Sequence, residues 1–429
     1  MLLAHFAASG SGVVDLPAWA LAYGVFAASV IAILWSRSRH VARAPAPDTP
    51  VPARLTRSGP VTALTTGAQL VLLAVVVVLV LSAWTGSTSI GQNLAPLTVI
   101  GVYWSMGAWL SLVAGPFWQT IDPFAVFARL GARRRTTRGR DDPPNLAPWW
   151  APAIVLGSFT IAWVAWFDGD LPRNLAVWLT AYVGSMAVLA YRRGRTALDA
   201  FDALPAALDL AGAILWPRRF RARLVDAPSR RRVGLVAALL LAAIGVDRAM
   251  STGWYVDQVA PRTVVLQVGI NLAMIAAATA AIVAVWNALG RLVSRARGEA
   301  HTFPLAASLA PAAAAVLLAR GLTTGLIQSQ NLVVLASDPM SRGWNLFGTI
   351  YWQVSQEPLS PFARGIIQAT VLLAGHVAAL CMIGRAATAR GADGATTLRA
   401  RHAAWTASLP AMAVVVVGGI VWTLLLLGQ

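Results

Sequence analysis

The sequence predicts an all-α, polytopic transmembrane bundle of about ten helices, and three observations predict it. The chain of 429 residues is 57% hydrophobic and only 12% charged, whereas soluble domains carry roughly 25% charge. Its mean hydropathy is +0.64. Apolar segments of crossing length alternate with arginine clusters. A hydrocarbon layer of about 30 Å takes about 20 apolar residues as helix, because no water is present to satisfy free backbone groups. The expectation is one integral membrane domain over residues 1–429.

In chain order the expected spans are Pro17 to Trp35, Val61 to Trp84, Pro96 to Trp118, Trp150 to Phe167 and Leu175 to Tyr191. The second five are Val233 to Val246, Thr263 to Leu289, Pro304 to Leu326, Gly365 to Gly384 and Leu409 to Leu427. The sixth has the shortest uncharged run, and its loss would invert every later loop. The first span has no basic residue before it and an arginine cluster after it, the flanks of an uncleaved first helix. Trp35, Trp84, Trp118, Trp149, Trp150, Tyr191 and Trp405 sit at span ends, as interfacial aromatics do.

Charge fixes the expected orientation. The 34 basic residues are all Arg, against 17 acids. With the amino terminus outside, 28 Arg fall in inside loops and five, Arg173, Arg248, Arg262, Arg342 and Arg364, fall outside. Short cytoplasmic loops collect Arg and Lys. The expectation is therefore a bacterial cytoplasmic membrane protein with both termini outside. The lipid bilayer accounts for the net charge of +17 without nucleic acid.

Residues 36 to 60 and 131 to 148 are Pro- and Arg-rich connectors without core-forming composition. The fifth-to-sixth connector differs. Residues 196 to 216, TALDAFDALPAALDLAGAILW, are apolar at helical spacing and predict an interfacial or re-entrant helix. Asp199, Asp202 and Asp209 share one face of it unless Pro205 breaks the register. That face suits either solvated acids paired with flanking Arg or the cation-attracting mouth of a pathway.

Two charged or titratable side chains stand out inside spans. Arg320 costs about 2.5 to 3.5 kcal/mol at a helix centre unless it faces the bundle, a wet vestibule or an anionic partner, or snorkels to the outer interface. His376 lies centrally in its span, where a ring can relay protons, ligate metal or join helices by a hydrogen bond. Gln69, Gln267, Asn271 and Gln368 are expected to knit helices together. His5, Asp15, Asp168, Asp170, Asp247, Asp257, Asp338 and Glu357 fall on the outer side, as convergent ligands or as ordinary loop acids. The lone Cys381 excludes a disulfide framework. No HExxH, GxSxG, GxGxxG or GxxxxGK[ST] pattern occurs in a plausible setting, so neither a nucleotide nor a flavin is expected as cofactor.

The outer segment SDPMSRGWNLFGT, Ser337 to Thr349, is followed by LSP at Leu359 to Pro361 and AGHVAAL at Ala374 to Leu380. With Ala4-His5, Asp15 to Pro17, Asn93 to Pro96, Trp118 to Phe124 and Ser251 to Tyr255, this order resembles the fenitrothion hydrolase-like polytopic membrane proteins of bacteria and archaea. The resemblance implies a membrane protein whose family name refers to organophosphate hydrolysis, a reaction usually run by metal-activated water. A divalent metal ion is thus the one cofactor it would call for. Relatives often carry Asn-Pro-Trp where this chain has Asp122-Pro123-Phe124, and a His near the position of Arg320.

Three functions follow as expectations. The first is translocation or binding of a small solute or ion, with His376 and Arg320 on the pathway and Trp344 and Asn345 at its outer mouth. The second is hydrolysis of lipophilic organophosphate esters, with His5, Asp15 and Asp338 as outer-face candidates. The third is a structural or assembly role as a subunit of a membrane complex.

Overall fold

A computed structural model describes residues 24, 26–33, 59–137, 148–224, 227–297, 305–388 and 398–427. Among them the fold is helical, with no strand. The main helices are α1 (Gly59–Thr85), α2 (Leu94–Ala114), α3 (Ala125–Thr137), α4 (Pro152–Ala165), α5 (Pro172–Arg193) and α6 (Arg195–Phe201). They continue as α7 (Ala203–Leu215), α8 (Ala227–Ala249), α9 (Val264–Arg297), α10 (Ala306–Ser337), α11 (Pro361–Thr388) and α12 (Leu398–Leu427).

Seven of these, α1, α2, α5, α9, α10, α11 and α12, are long and apolar enough to cross a membrane. They correspond to the second, third, fifth and seventh to tenth expected spans. The expected fourth and sixth segments form shorter apolar stretches. α4 extends about 21 Å at 1.5 Å per residue, and its last turn, Ile161–Ala165, is a π-helix. The apolar run of α8, Val233 to Val246, is bounded by Arg232 and Asp247. Of the expected first span, helix is described at residue 24 and over residues 26–33, and the rest lies outside the described residues. The connector 36 to 60 lies almost wholly outside them as well.

α4 and the apolar run of α8 are well enclosed. Leu156, Phe159 and Trp163 of α4 and Val236, Leu240 and Ile244 of α8 are buried, behind long helices whose outward faces carry exposed Val, Leu and Ile such as Val71, Val265 and Val417. α10 is buried continuously from Ala310 to Ala319. Its alanines let neighbouring backbones approach closely, the usual means of helix association where lipid removes the hydrophobic drive.

Hydrogen bonds gather the loops into two ends. At one, Ser341 Oγ donates to the Gln92 carbonyl (2.7 Å), the Asn271 amide donates to the Ala165 carbonyl (2.9 Å), and Tyr255 donates to Asn271 Oδ1 (3.0 Å). At the other, Gln69 donates to the Thr120 carbonyl (2.9 Å) and Arg297 to the Ala386 carbonyl (2.9 Å). Residues 117–137, 193–224 and 227–232, with half of the described arginines, lie at this second end.

Over residues 196–216 the chain makes short helices instead of one. Pro205 has no N–H to give to the Phe201 carbonyl, and its ring crowds that carbonyl. The backbone opens at Asp202 (ψ 91°) and restarts as α7. Ahead of it, Gly194 at φ +79° turns the chain sharply from α5 into α6.

Candidate functional site

These turns frame a cavity of about 1030 Å³ at the arginine-rich end, between α3, α6, α7 and α8. Arg129, Arg193, Arg195, Arg223 and Arg232 line it together with Asp199, Asp202 and Asp209. The three acids do reach one space, although no single helix face presents them.

Each acid has a different environment. Asp209 is buried and saturated. Its Oδ1 accepts from Ser111 Oγ (3.1 Å) and from the backbone N–H groups of Phe117 (2.8 Å) and Trp118 (2.9 Å). Its Oδ2 accepts from the Gln119 N–H (3.1 Å) and from Arg223 Nη1 (2.7 Å). Arg223 also donates to the Pro116 carbonyl. This carboxylate therefore pins the turn that follows α2. Asp199 pairs with Arg195 at 2.7 Å, and Arg195 also donates to the Gln119 carbonyl. Burial raises the Asp199 carboxyl, opposed by Arg195.

Among the described residues no cation is hydrogen-bonded to Asp202 or Asp122, although the Arg195 charge opposes the upward push on Asp122. Tyr182 donates its hydroxyl to Asp202, with oxygen distances of 2.9 and 3.0 Å. Asp122 Oδ1 accepts from the Phe124 N–H at 2.8 Å. Both acids are buried, and burial pushes both carboxyls above the ordinary range. Asp122 adds a further upward push on Asp202. Burial is the largest cause for both, so each of these carboxyls keeps its proton to a higher pH than an exposed one. Arg129 bonds the neutral Gln69. Burial, then Arg195 and Arg133, lower its guanidinium from the ordinary value, so the rim concentrates positive charge.

The residues singled out by sequence lie elsewhere. Arg320 forms an ion pair with Asp247 at 2.8 Å and sits 5.2 Å over the Trp163 ring. His376 is buried, with Nδ1 2.7 Å from the Leu372 carbonyl and its ring against Gly419. Neither lines the cavity just described. Asp247 is a helix residue with a partner and not a loop acid. Asp338 accepts from the N–H groups of Arg342 (2.8 Å) and Gly343 (2.7 Å). Asn345 Oδ1 accepts from Ser337 Oγ (3.1 Å). These bonds shape the SDP…WNLFG segment from within. Trp344 is exposed, as are Leu346, Phe347, Tyr351 and Trp352, an aromatic surface suited to a lipid interface. His5 and Asp15 lie outside the described residues. Among the described residues no group of three His, Cys, Asp or Glu side chains is arranged to hold a metal ion.

Of the expected knitting residues, Gln69, Asn271 and Gln368 bond other helices or loops, whereas Gln267 donates to the Ala260 and Arg262 carbonyls of its own approach loop. Sequence reasoning missed Tyr182 and the burial of Asp122. A tyrosine in mid-span and an acid before Pro are weak signals without the partner that joins them.

Fold and site together define a multi-pass helical bundle compatible with an integral membrane protein. Comparison of the chain with protein-family models, with curated proteins and with solved structures returns no match.

Proposed function

We propose that this is a ten-crossing protein of the bacterial cytoplasmic membrane that binds a small anionic solute in the arginine-rich cavity, as a step in its translocation. The observation that carries this reading is the lining itself: five arginines and three acids line one cavity, and the Arg195 charge bears on Arg129, an excess of positive charge that an anion offsets. The Asp122 and Asp202 pair supplies the proton that accompanies it. Net arginine at this end makes it the cytoplasmic side. On the motifs around Ser337 to Thr349, the chain is proposed as a member of the fenitrothion hydrolase-like family.

Binding is tested on the whole protein in detergent by the melting temperature in phosphate, sulfate or short-chain carboxylates, against chloride at equal ionic strength. The expected result is a rise with at least one of them in the wild-type protein that is lost in Arg129→Gln. No rise with any of them, or an undiminished rise in Arg129→Gln, overturns the reading. Solute flux into proteoliposomes, abolished by Asp202→Asn, extends the test from binding to translocation.

A further inference from the structure

The arginine-rich cavity is far larger than an inorganic anion. Its volume of about 1030 Å³ stands at the top of the range, about 300–1,000 Å³, over which pockets enclose organic ligands. Its charges are also unevenly committed. Arg195 neutralises Asp199 and Arg223 neutralises Asp209, each at 2.7 Å. Arg129 and Arg193 have no carboxylate among the described residues. Arg129 donates to the neutral Gln69, and the Arg193 guanidinium has no hydrogen-bond or ion-pair partner among the described residues.

The backbone brings these two cations to one place. A Cβ at Gly131 of α3 would run into the Tyr191 carbonyl of α5, so the bare glycine lets the two helices touch there. Arg129 and Arg193 each stand two residues from that contact, and both line the cavity. Two guanidiniums without a carboxylate suit one acidic group that accepts charge-assisted hydrogen bonds from both.

The lining from α7 and α8 has another character. Ala206 of α7, Val233 of α8 and Leu224 between them are half-buried at the cavity, backed by the buried Leu210, Phe220 and Val236. Asp209, the acid that α7 adds, is already saturated. The α8 lining runs from Ser229 to Val236, about 10 Å at 1.5 Å per residue, and past Arg232 it consists of Val233 and Val236. A Cβ at Gly234 would run into Ala306, so α8 gives its glycine to α10 and these valines to the cavity. A hydrated inorganic ion gains nothing from such a surface. A hydrocarbon body laid against it leaves water and is stabilised.

We propose, on the anion reading of this cavity, that the ligand is an amphiphilic organic anion: Arg129 and Arg193 hold its acidic headgroup, and its apolar body lies along Ala206, Leu224 and Val233. The test is the affinity of acetate, butanoate and hexanoate for the full-length protein in detergent at neutral pH, read from the concentration dependence of its melting temperature. Affinity is expected to rise about tenfold for each added pair of methylene groups. Val233→Thr and Ala206→Ser shrink the hexanoate-to-acetate ratio, and Arg193→Gln weakens all three acids together. Hexanol, which has the body without the charge, gives no rise in melting temperature. Equal affinity for acetate and hexanoate overturns this proposal and leaves a site for small anions, whereas no rise with any of these acids, phosphate or sulfate removes both. A rise with hexanol equal to that with hexanoate, a ratio undiminished in both wall variants, or hexanoate affinity undiminished in Arg193→Gln also overturns it.

Discussion

Asp247 of α8 and Arg320 of α10 meet at 2.8 Å, with both side chains less than one-fifth exposed and the guanidinium 5.2 Å over the ring of Trp163. The pair joins the charge-bounded helix α8 to the most enclosed long helix. It also answers the cost of Arg320 without lipid headgroups or a ligand.

Breaking that pair leaves a charge stranded. Asp247→Asn lowers stability by about 3 kcal/mol, read from the midpoint of detergent-induced unfolding. Replacing both residues together, Asp247→Leu with Arg320→Leu, recovers most of that loss, because the desolvation cost leaves with the charges. Additive losses in the double variant contradict an ion pair.

Asp209 should be the most sensitive side chain of the arginine-rich end. Asp209→Ala orphans three backbone N–H groups, the Ser111 hydroxyl and Arg223 at once. The expected loss is about 3–5 kcal/mol, with accelerated proteolysis between Gly115 and Ile121. Asp209→Asn keeps one acceptor oxygen and loses less. A near-neutral Asp209→Ala contradicts its role as the pin of this turn.

Asp170 gives a pH dependence of definite sign. Burial pushes its carboxyl from 3.8 up to about 6. A folded-state value above the unfolded one contributes stability that is fully present below about 4 and lost as pH rises through 6. Wild-type stability relative to Asp170→Asn should fall by about 2–3 kcal/mol between pH 4 and 7 and then level. Parallel pH profiles for the two proteins contradict the burial of this acid.

What the sequence makes legible follows from the length scale of the signal. Twenty-residue apolar runs with clustered arginines give the helical class and the long helices, since lipid imposes both. Residues 196–216 read correctly as apolar and helical, but only the clash between Pro205 and the Phe201 carbonyl decides where that segment opens. The site itself is joined by contacts remote in sequence: Tyr182 reaches Asp202 from α5, and Arg223 reaches Asp209 across a turn built by Phe117 to Gln119. No periodicity encodes such partners. Arg320 stood out because a lone charge in an apolar run is conspicuous, while its partner Asp247 was hidden at a helix end.

On the orientation proposed above, the arginine-rich cavity is a solvent-reached interior open to the cytoplasmic face. Its most direct measurement is thiol labelling of Ala206→Cys, at the cavity wall, in a Cys381→Ser background, with a membrane-impermeant maleimide. Rapid labelling in inside-out vesicles and none in right-side-out vesicles is the expected outcome. Labelling only from the outside, or from neither side while the denatured protein reacts, would contradict it.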